Sequence, residues 1–218
     1  MNNYDYVLFD LDGTITNSKP GIVNCIKYAL DAKGISYPDD SIFDKMVGPP
    51  FRVSMREFLG LDMPVIEELI TLYRGKYEIG GWKQCEIYGG ITDMLSALKN
   101  AGKILAIATS KPHKFTDIMI NGLDLNKYFD FVGGATSDAS KESKADVIDM
   151  VLENLQVKDR SKALMIGDRL YDIEGAHKCG LECAAVMWGY GSEEEFKEYG
   201  AEYIFKNPSD IVNFLLNN

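Results

Sequence analysis

Short, nearly continuous apolar runs rich in Val, Ile, Leu and Phe recur along this chain. They fall at Tyr6–Asp10, Ile104–Thr109, Phe129–Gly133, Ala163–Asp168, Cys183–Trp188 and Glu202–Phe205. A strand with one wet face alternates apolar and polar residues. An unbroken apolar run suits a strand buried on both faces, as in a parallel sheet covered by helices. Helical periodicity lies between the runs: Ile91, Met94, Leu95 and Leu98 mark one face, and Val147, Ile148, Val151, Leu152 and Leu155 another. A third helix near Ile173–Lys178 ends at Gly180. Strands alternating with helices predict an α/β fold, a doubly wound parallel sheet of Rossmann-like type.

Residues 17–85 read differently. Ile22, Ile26, Ala29 and Leu30 share a helical face, with Gly34 as a stop. Phe51–Leu59 and Val65–Tyr77 are helical in pattern, set off by Gly48-Pro49-Pro50 and Met63-Pro64. No strand signal stands out there. The expected organisation is a core of residues 1–16 and 86–218, interrupted by an all-helical insertion over 17–85. A length of 218 residues fits one core with one sizeable insertion.

Charge narrows the function classes. With 23 Lys and Arg against 33 Asp and Glu, the net charge is −10. Such a chain lacks the basic footprint for a nucleic-acid polymer or an anionic membrane. An anionic small substrate would need local positive charge or a metal ion. Cys25, Cys85, Cys179 and Cys183 form no C-x-x-C pair, and His113 and His177 offer no zinc-ligand spacing, so buried free thiols are expected. No basic, apolar leader begins the chain and no apolar run is long enough to span a bilayer. The expectation is a soluble, cytoplasmic protein, monomeric or homodimeric.

Four segments carry chemistry. Asp10-Leu11-Asp12-Gly13-Thr14 follows the first strand, where open α/β sheets bind ligands. Carboxylates at i and i+2 on an extended segment can face one side, and Gly13 allows a sharp turn. One carboxylate could attack or hold a metal while the other moves protons, although Asp-Gly is also a common turn. Gly167-Asp168-Arg169-Leu170-Tyr171-Asp172 occupies the same place after another strand. Asp168 and Asp172 then lie a turn apart and, with Asp10, form a hard-oxygen site suited to Mg²⁺. Asp172 equally suits an acidic first turn favoured by the helix dipole. Thr109 and Ser110 end a strand just before Pro112, a position fit for anion binding or, at Ser110, for a helix cap. Lys144 opposes the dipole at a helix start, which suggests another purpose, with Lys141 as its rival.

Together these segments resemble the four motifs of the haloacid dehalogenase-like hydrolases, in the family's order and across essentially the whole chain. Asp10-Leu11-Asp12-Gly13-Thr14 is similar to the first motif, Thr109-Ser110 to the second, Lys144 to the third, and Gly167-Asp168 with Asp172 to the fourth. The helical insertion resembles the cap of the phosphoglycolate phosphatase-like branch. Asn17-Ser18-Lys19-Pro20-Gly21 and Gly48-Pro49-Pro50 look most like phosphoglycolate phosphatase and 5′-nucleotidase relatives.

The resemblance implies a Mg²⁺-dependent phosphatase acting on a small phosphate monoester through an aspartyl-phosphate on Asp10. Asp12 would be the acid and base, and Thr109, Ser110 and Lys144 would bind the phosphoryl group. The metal would be held by Asp10, the Asp12 carbonyl, Asp168 and Asp172, and the cap would close over the site. Asp12 disfavours dehalogenase and phosphonoacetaldehyde hydrolase chemistry, whose families lack it. A sugar-phosphate mutase of the β-phosphoglucomutase type shares all four motifs and stays as the alternative. Arg52 and Arg56 of the cap could read a substrate carboxylate or second phosphate, or simply form a solvated helix face. Trp188-Gly189-Tyr190-Gly191 either borders the site or is a core Trp with a glycine turn.

Overall fold

The computed structural model describes residues 4–136, 141 and 143–217. Its strands are β1 (Tyr6–Phe9), β2 (Thr16–Asn17), β3 (Glu86–Ile87), β4 (Ile104–Pro112), β5 (Phe131–Ala135), β6 (Ala163–Gly167), β7 (Glu182–Val186) and β8 (Tyr203–Phe205). Its helices are α1 (Lys19–Ala32), α2 (Ile42–Met46), α3 (Phe51–Leu59), α4 (Met63–Ile79), α5 (Ile91–Asn100), α6 (His113–Gly122), α7 (Lys144–Asn154), α8 (Leu170–Lys178), α9 (Glu193–Tyr199) and α10 (Pro208–Leu216). The chain divides into two compact units, Met1–Thr16 with Ile87–Asn218, and Asn17–Glu86.

In the first unit six strands form one sheet in the order β5-β4-β1-β6-β7-β8, and every neighbouring pair is parallel. Tyr6, Val7, Leu8 and Phe9 of β1 pair with Ile104–Ile107 on one side and Ala163–Ile166 on the other. Successive side chains point to opposite faces. Leu8, Ala106 and Met165 join Val147, Ile148 and Val151 of α7 and Ile173 and Ala176 of α8 in one buried cluster. Val7, Phe9, Leu105, Ile107, Leu164 and Ile166 point the other way and are equally buried. Both faces are covered, which is why these strands read as unbroken apolar runs.

β1 is central, and the chain runs outward from it first through β4 and β5, then through β6, β7 and β8. The strand order reverses beside β1, and the carboxyl ends of β1, β4 and β6 lie at that reversal. β4 extends three residues past Thr109 to Pro112, with a register shift against β5 between those residues. Pro112 then caps α6. Ser110 therefore sits within β4 and is not the N-cap of α6.

The second unit holds α1 to α4 around Ile26, Leu30, Phe43, Met46, Met55, Ile66 and Leu69. α1 ends beside Gly34, whose φ of +65° provides the left-handed turn. α2, five residues long, leaves too little periodicity to read from sequence. The two-residue strands β2 and β3, which pair with each other, are too short to leave an alternation signal. Cys25, Cys179 and Cys183 are buried free thiols, whereas Cys85 is half-buried and donates to the Trp82 carbonyl at 2.9 Å. No helix among the described residues is long and apolar enough to cross a membrane.

Candidate active site

Asp10 follows β1 directly, and its N–H continues the ladder by donating to the Ile166 carbonyl at 2.9 Å. Asp168 follows β6, and Asp172 lies in the first turn of α8. One carboxylate oxygen from each of Asp10, Asp168 and Asp172 lies within 4.8 Å of the others, and all three residues are buried. Asp12 is not one of the three. Its Oδ2 is 2.8 Å from the Lys111 ammonium.

Lys144 reaches this cluster from the first turn of α7. Ser143 caps that helix, its hydroxyl accepting from the Asp146 N–H at 3.2 Å. The Lys144 ammonium is 2.6 Å from Asp10 Oδ1, 2.8 Å from Asp172 Oδ1 and 3.1 Å from the Ala108 carbonyl. Gly175 of α8 lies beneath it, where a Cβ would stand 2.6 Å from Lys144 Cγ. Lys141 lies 3.8 Å from Glu153 instead, so of the two lysines only Lys144 is in contact with the acidic cluster.

Asp172 serves two ends at once. Its Oδ2 accepts from the N–H groups of Asp168 at 3.1 Å and Arg169 at 3.0 Å, capping α8. Its Oδ1 lies 2.8 Å from the Lys144 ammonium. The cap reading of this residue is therefore observed, and its other oxygen lies in the acidic cluster.

Asp168 is held by neutral donors: the Thr14 hydroxyl at 3.0 Å and the Tyr190 N–H at 2.8 Å. Three glycines make room for it. A Cβ on Gly13 would stand 2.2 Å from Asp168 Oδ2, one on Gly189 2.3 Å from its Cβ, and one on Gly191 2.3 Å from its carbonyl oxygen. Gly13 also has a φ of +95°, which side-chain-bearing residues rarely adopt. Trp188 Nε1 donates to the Thr14 carbonyl at 2.9 Å, so the Trp188–Gly191 segment borders this site.

The electrostatics are those of a crowded acidic pocket. Burial, with Asp172 and Asp12 adding to it, pushes the Asp10 carboxyl up to about 6 against the pull of Lys144. Burial, then Asp172 and Asp10, raise Asp168 well above the usual carboxylate range. Burial works against the Lys144 charge, but Asp10 and Asp172 outweigh it and hold the ammonium above its ordinary value. Four carboxyl groups (Asp10, Asp12, Asp168, Asp172) stand against two ammoniums (Lys111, Lys144), so ionising all four calls for further positive charge. Three buried carboxyl groups whose oxygens lie within 4.8 Å of one another, with the Lys144 ammonium against two of them, supply hard oxygen donors that fit a divalent cation such as Mg²⁺.

Thr109 is buried, its hydroxyl accepting from the Lys111 N–H at 3.3 Å, while Ser110 beside it is partly exposed. Arg52 and Arg56 lie on α3 of the second unit. Arg52 Nε pairs with Glu67 at 2.7 Å, and Arg56 is exposed. Thr14 and Lys111 carry contacts that the sequence did not single out. The only signals were a hydroxyl one residue past Asp-Gly and a lysine just past an apolar run.

The likeness to known proteins runs the length of this framework. The sequence pattern described as haloacid dehalogenase-like hydrolase matches residues 7–186. Tyrosine-protein kinase PtkA of Mycobacterium tuberculosis is 34% identical over 206 residues, covering 94% of this chain and 67% of the relative. A 5′-nucleotidase of Pseudomonas aeruginosa is 32% identical over 196 residues, covering 90% and 88%. The crystal structure of a predicted phosphatase from Clostridium acetobutylicum superposes with a TM-score of 0.93 at 39% identity, covering 99% of each chain. With this sheet order, and a pattern match that spans most of its length, the chain belongs to the haloacid dehalogenase-like hydrolases.

Proposed function

We propose that the protein is a Mg²⁺-dependent phosphatase of a small phosphate monoester, working through an aspartyl-phosphate on Asp10. The observation that carries this reading is the pairing of two carboxylates with two different lysines at the carboxyl end of the central strands: Asp10 with Lys144, and Asp12 with Lys111. A nucleophile and a separate proton carrier are what two-step phosphoryl transfer asks of a protein. Relatives named as phosphatase and nucleotidase support the reaction class.

An Asp10 carboxylate oxygen forms the new bond to phosphorus as the bond to the leaving oxygen breaks. Asp12 gives that oxygen its proton. Asp12 then takes a proton from a water molecule, whose oxygen bonds to phosphorus as the Asp10–phosphorus bond breaks, freeing phosphate. Lys144 keeps Asp10 charge-balanced, and Thr109 and Ser110 at the end of β4 offer hydroxyls to phosphoryl oxygens. Asp10, Asp168, Asp172 and the Asp12 carbonyl would hold Mg²⁺, which would supply charge for a dianionic substrate to approach so many carboxylates. The second unit, Asn17–Glu86, is in this reading the cap, and substrate choice rests with it.

The test is phosphate release from phosphoglycolate, nucleoside monophosphates, sugar phosphates and an aryl phosphate, with Mg²⁺ and with excess chelator. Metal-dependent release that falls by at least about 10³-fold in Asp10→Asn supports the reading. Full activity in that variant overturns the mechanism. A sugar-phosphate mutase on the same scaffold is the second reading, since the same two-carboxylate site serves transfer to an alcohol as well as to water. Isomerised sugar phosphate without phosphate release would select it.

A further inference from the structure

Lys111 has no part in the steps above, yet it is as deeply set as the groups that do. Its side chain is 6% exposed, against 18% for its partner Asp12, and the two meet at 2.8 Å. Its backbone is pinned on both sides. The N–H donates to Thr109 Oγ1 at 3.3 Å, and the carbonyl accepts from Thr116 Oγ1 at 3.3 Å. It also lies inside the register shift of β4 against β5. Gly134 makes that shift possible, since a Cβ there would stand 2.9 Å from the Lys111 carbonyl oxygen and 2.8 Å from His113 Cα.

Stability gives little reason for such a pair. Desolvating an ammonium and a carboxylate roughly cancels their attraction, and an apolar pair of similar volume is often as stable or more so. What the pair does accomplish is to hold Asp12 Oδ2 at a fixed point on the neighbouring strand end. A partly buried aspartate side chain still has more than one staggered rotamer open to it unless a partner fixes it. General acid catalysis is sensitive to this, because the acid must stay within hydrogen-bond reach of the oxygen it protonates.

Taking the phosphatase reading as its premise, we propose that Lys111 is a positioning residue: its ammonium holds Oδ2 of the Asp12 carboxyl group, fixing the orientation from which the protonated Oδ1 gives its proton to the leaving oxygen. The effect then depends on the leaving group. An alkyl phosphate leaves as a basic alkoxide and needs the proton, whereas p-nitrophenolate leaves without one. Loss of Lys111 should lower kcat/KM for the first and spare the second.

The experiment compares wild type, Lys111→Met, Lys111→Gln, Asp12→Asn and the Lys111→Met/Asp12→Asn double variant on an alkyl phosphate and on p-nitrophenyl phosphate, all with Mg²⁺. In Lys111→Met, kcat/KM should fall about tenfold or more on the alkyl ester and by no more than about twofold on the aryl ester. Lys111→Gln, which keeps a donor, should fall between it and wild type. Asp12→Asn should show the same leaving-group dependence at greater size, and the double variant should be no worse than Asp12→Asn alone. The ratio of the two substrates is taken within one preparation, so it does not depend on the fraction of folded enzyme. If Lys111→Met does not fold, Lys111→Gln carries the test. Equal losses on both substrates, or losses that add in the double variant, overturn the proposal while leaving the phosphatase reading intact. Full turnover by Asp10→Asn would instead remove the premise, and the proposal with it.

Discussion

The Lys144 ammonium lies 2.6 Å from Asp10 Oδ1, joining residues 134 apart in sequence through the start of one helix and the end of the central strand. The same ammonium is 2.8 Å from Asp172, so a single lysine stands between two buried carboxylates. Lys144→Met should therefore leave two like charges facing each other in a buried site. In metal-free protein this should cost about 3 kcal/mol or more, read by urea unfolding. Adding Asp10→Asn should recover part of that loss, because one of the two charges is gone. Simple additivity of the two substitutions would show that they do not act through each other.

The proposed Mg²⁺ should matter more to stability as pH rises. Asp10 is raised to about 6 by burial and its carboxylate neighbours, and Asp168 is raised well above its ordinary value by burial, Asp172 and Asp10. Both groups bind protons more tightly folded than unfolded. Their contribution is fully present below the unfolded carboxylate value of about 4 and is lost as pH rises through the folded values. Metal-free protein should thus lose stability from about pH 4 to beyond pH 6 through these groups. A divalent cation takes over the compensation, so the rise in Tm on adding Mg²⁺ to metal-stripped protein should be larger at pH 7.5 than at pH 5. Equal increments at both values would mean that these carboxylates do not hold the ion.

Much of this was legible in the sequence, and the exceptions have physical causes. Doubly buried strands leave unbroken apolar runs, so all six strands of the main sheet could be placed without coordinates. Their ends were less clear, because hydrogen bonding ends a strand and hydropathy does not record it. β4 carries polar Ser110 and Lys111 past its last apolar residue. Lys144 was visible because a cation at a helix start runs against the dipole. Lys111 was not, since its burial comes from a register shift set by a glycine on another strand. Asp172 could not be assigned to cap or cluster from sequence, and its two oxygens do both.

Gly189 should be as important to the proposed metal site as some of the residues that line it. An added Cβ would stand 2.3 Å from Asp168 Cβ and 2.5 Å from both Asp168 Oδ2 and the Gly13 carbonyl oxygen. Gly189→Ala must then displace Asp168 or the turn after β1. The Mg²⁺ concentration for half-maximal activity should rise about 10- to 100-fold, as when groups that orient a metal ligand are disturbed. Gly75→Ala is the control, for that glycine lies within α4 with nothing inside 4 Å of the new methyl. It should stabilise by about 0.5–1 kcal/mol and leave the metal dependence unchanged. An unaltered Mg²⁺ requirement in Gly189→Ala would show that Asp168 does not hold the ion.

Arg52 separates packing from recognition in the second unit. Its Nε meets Glu67 at 2.7 Å, but the two side chains are 30% and 49% exposed. A pair so wet contributes about 0–1 kcal/mol, so Arg52→Ala should move Tm by only a few degrees. Glu67 is held below the usual carboxylate range by its hydrogen bonds from Arg52, whose Nη2 also donates to Glu67 Oε2 at 3.2 Å. If the second unit reads the leaving group, Arg52→Ala should lower kcat/KM about tenfold for a substrate bearing a second anionic group and hardly at all for an aryl phosphate. Parallel assays of phosphoglycolate and p-nitrophenyl phosphate decide it. An equal fall on both would assign Arg52 to the packing of its own helices and move leaving-group recognition elsewhere.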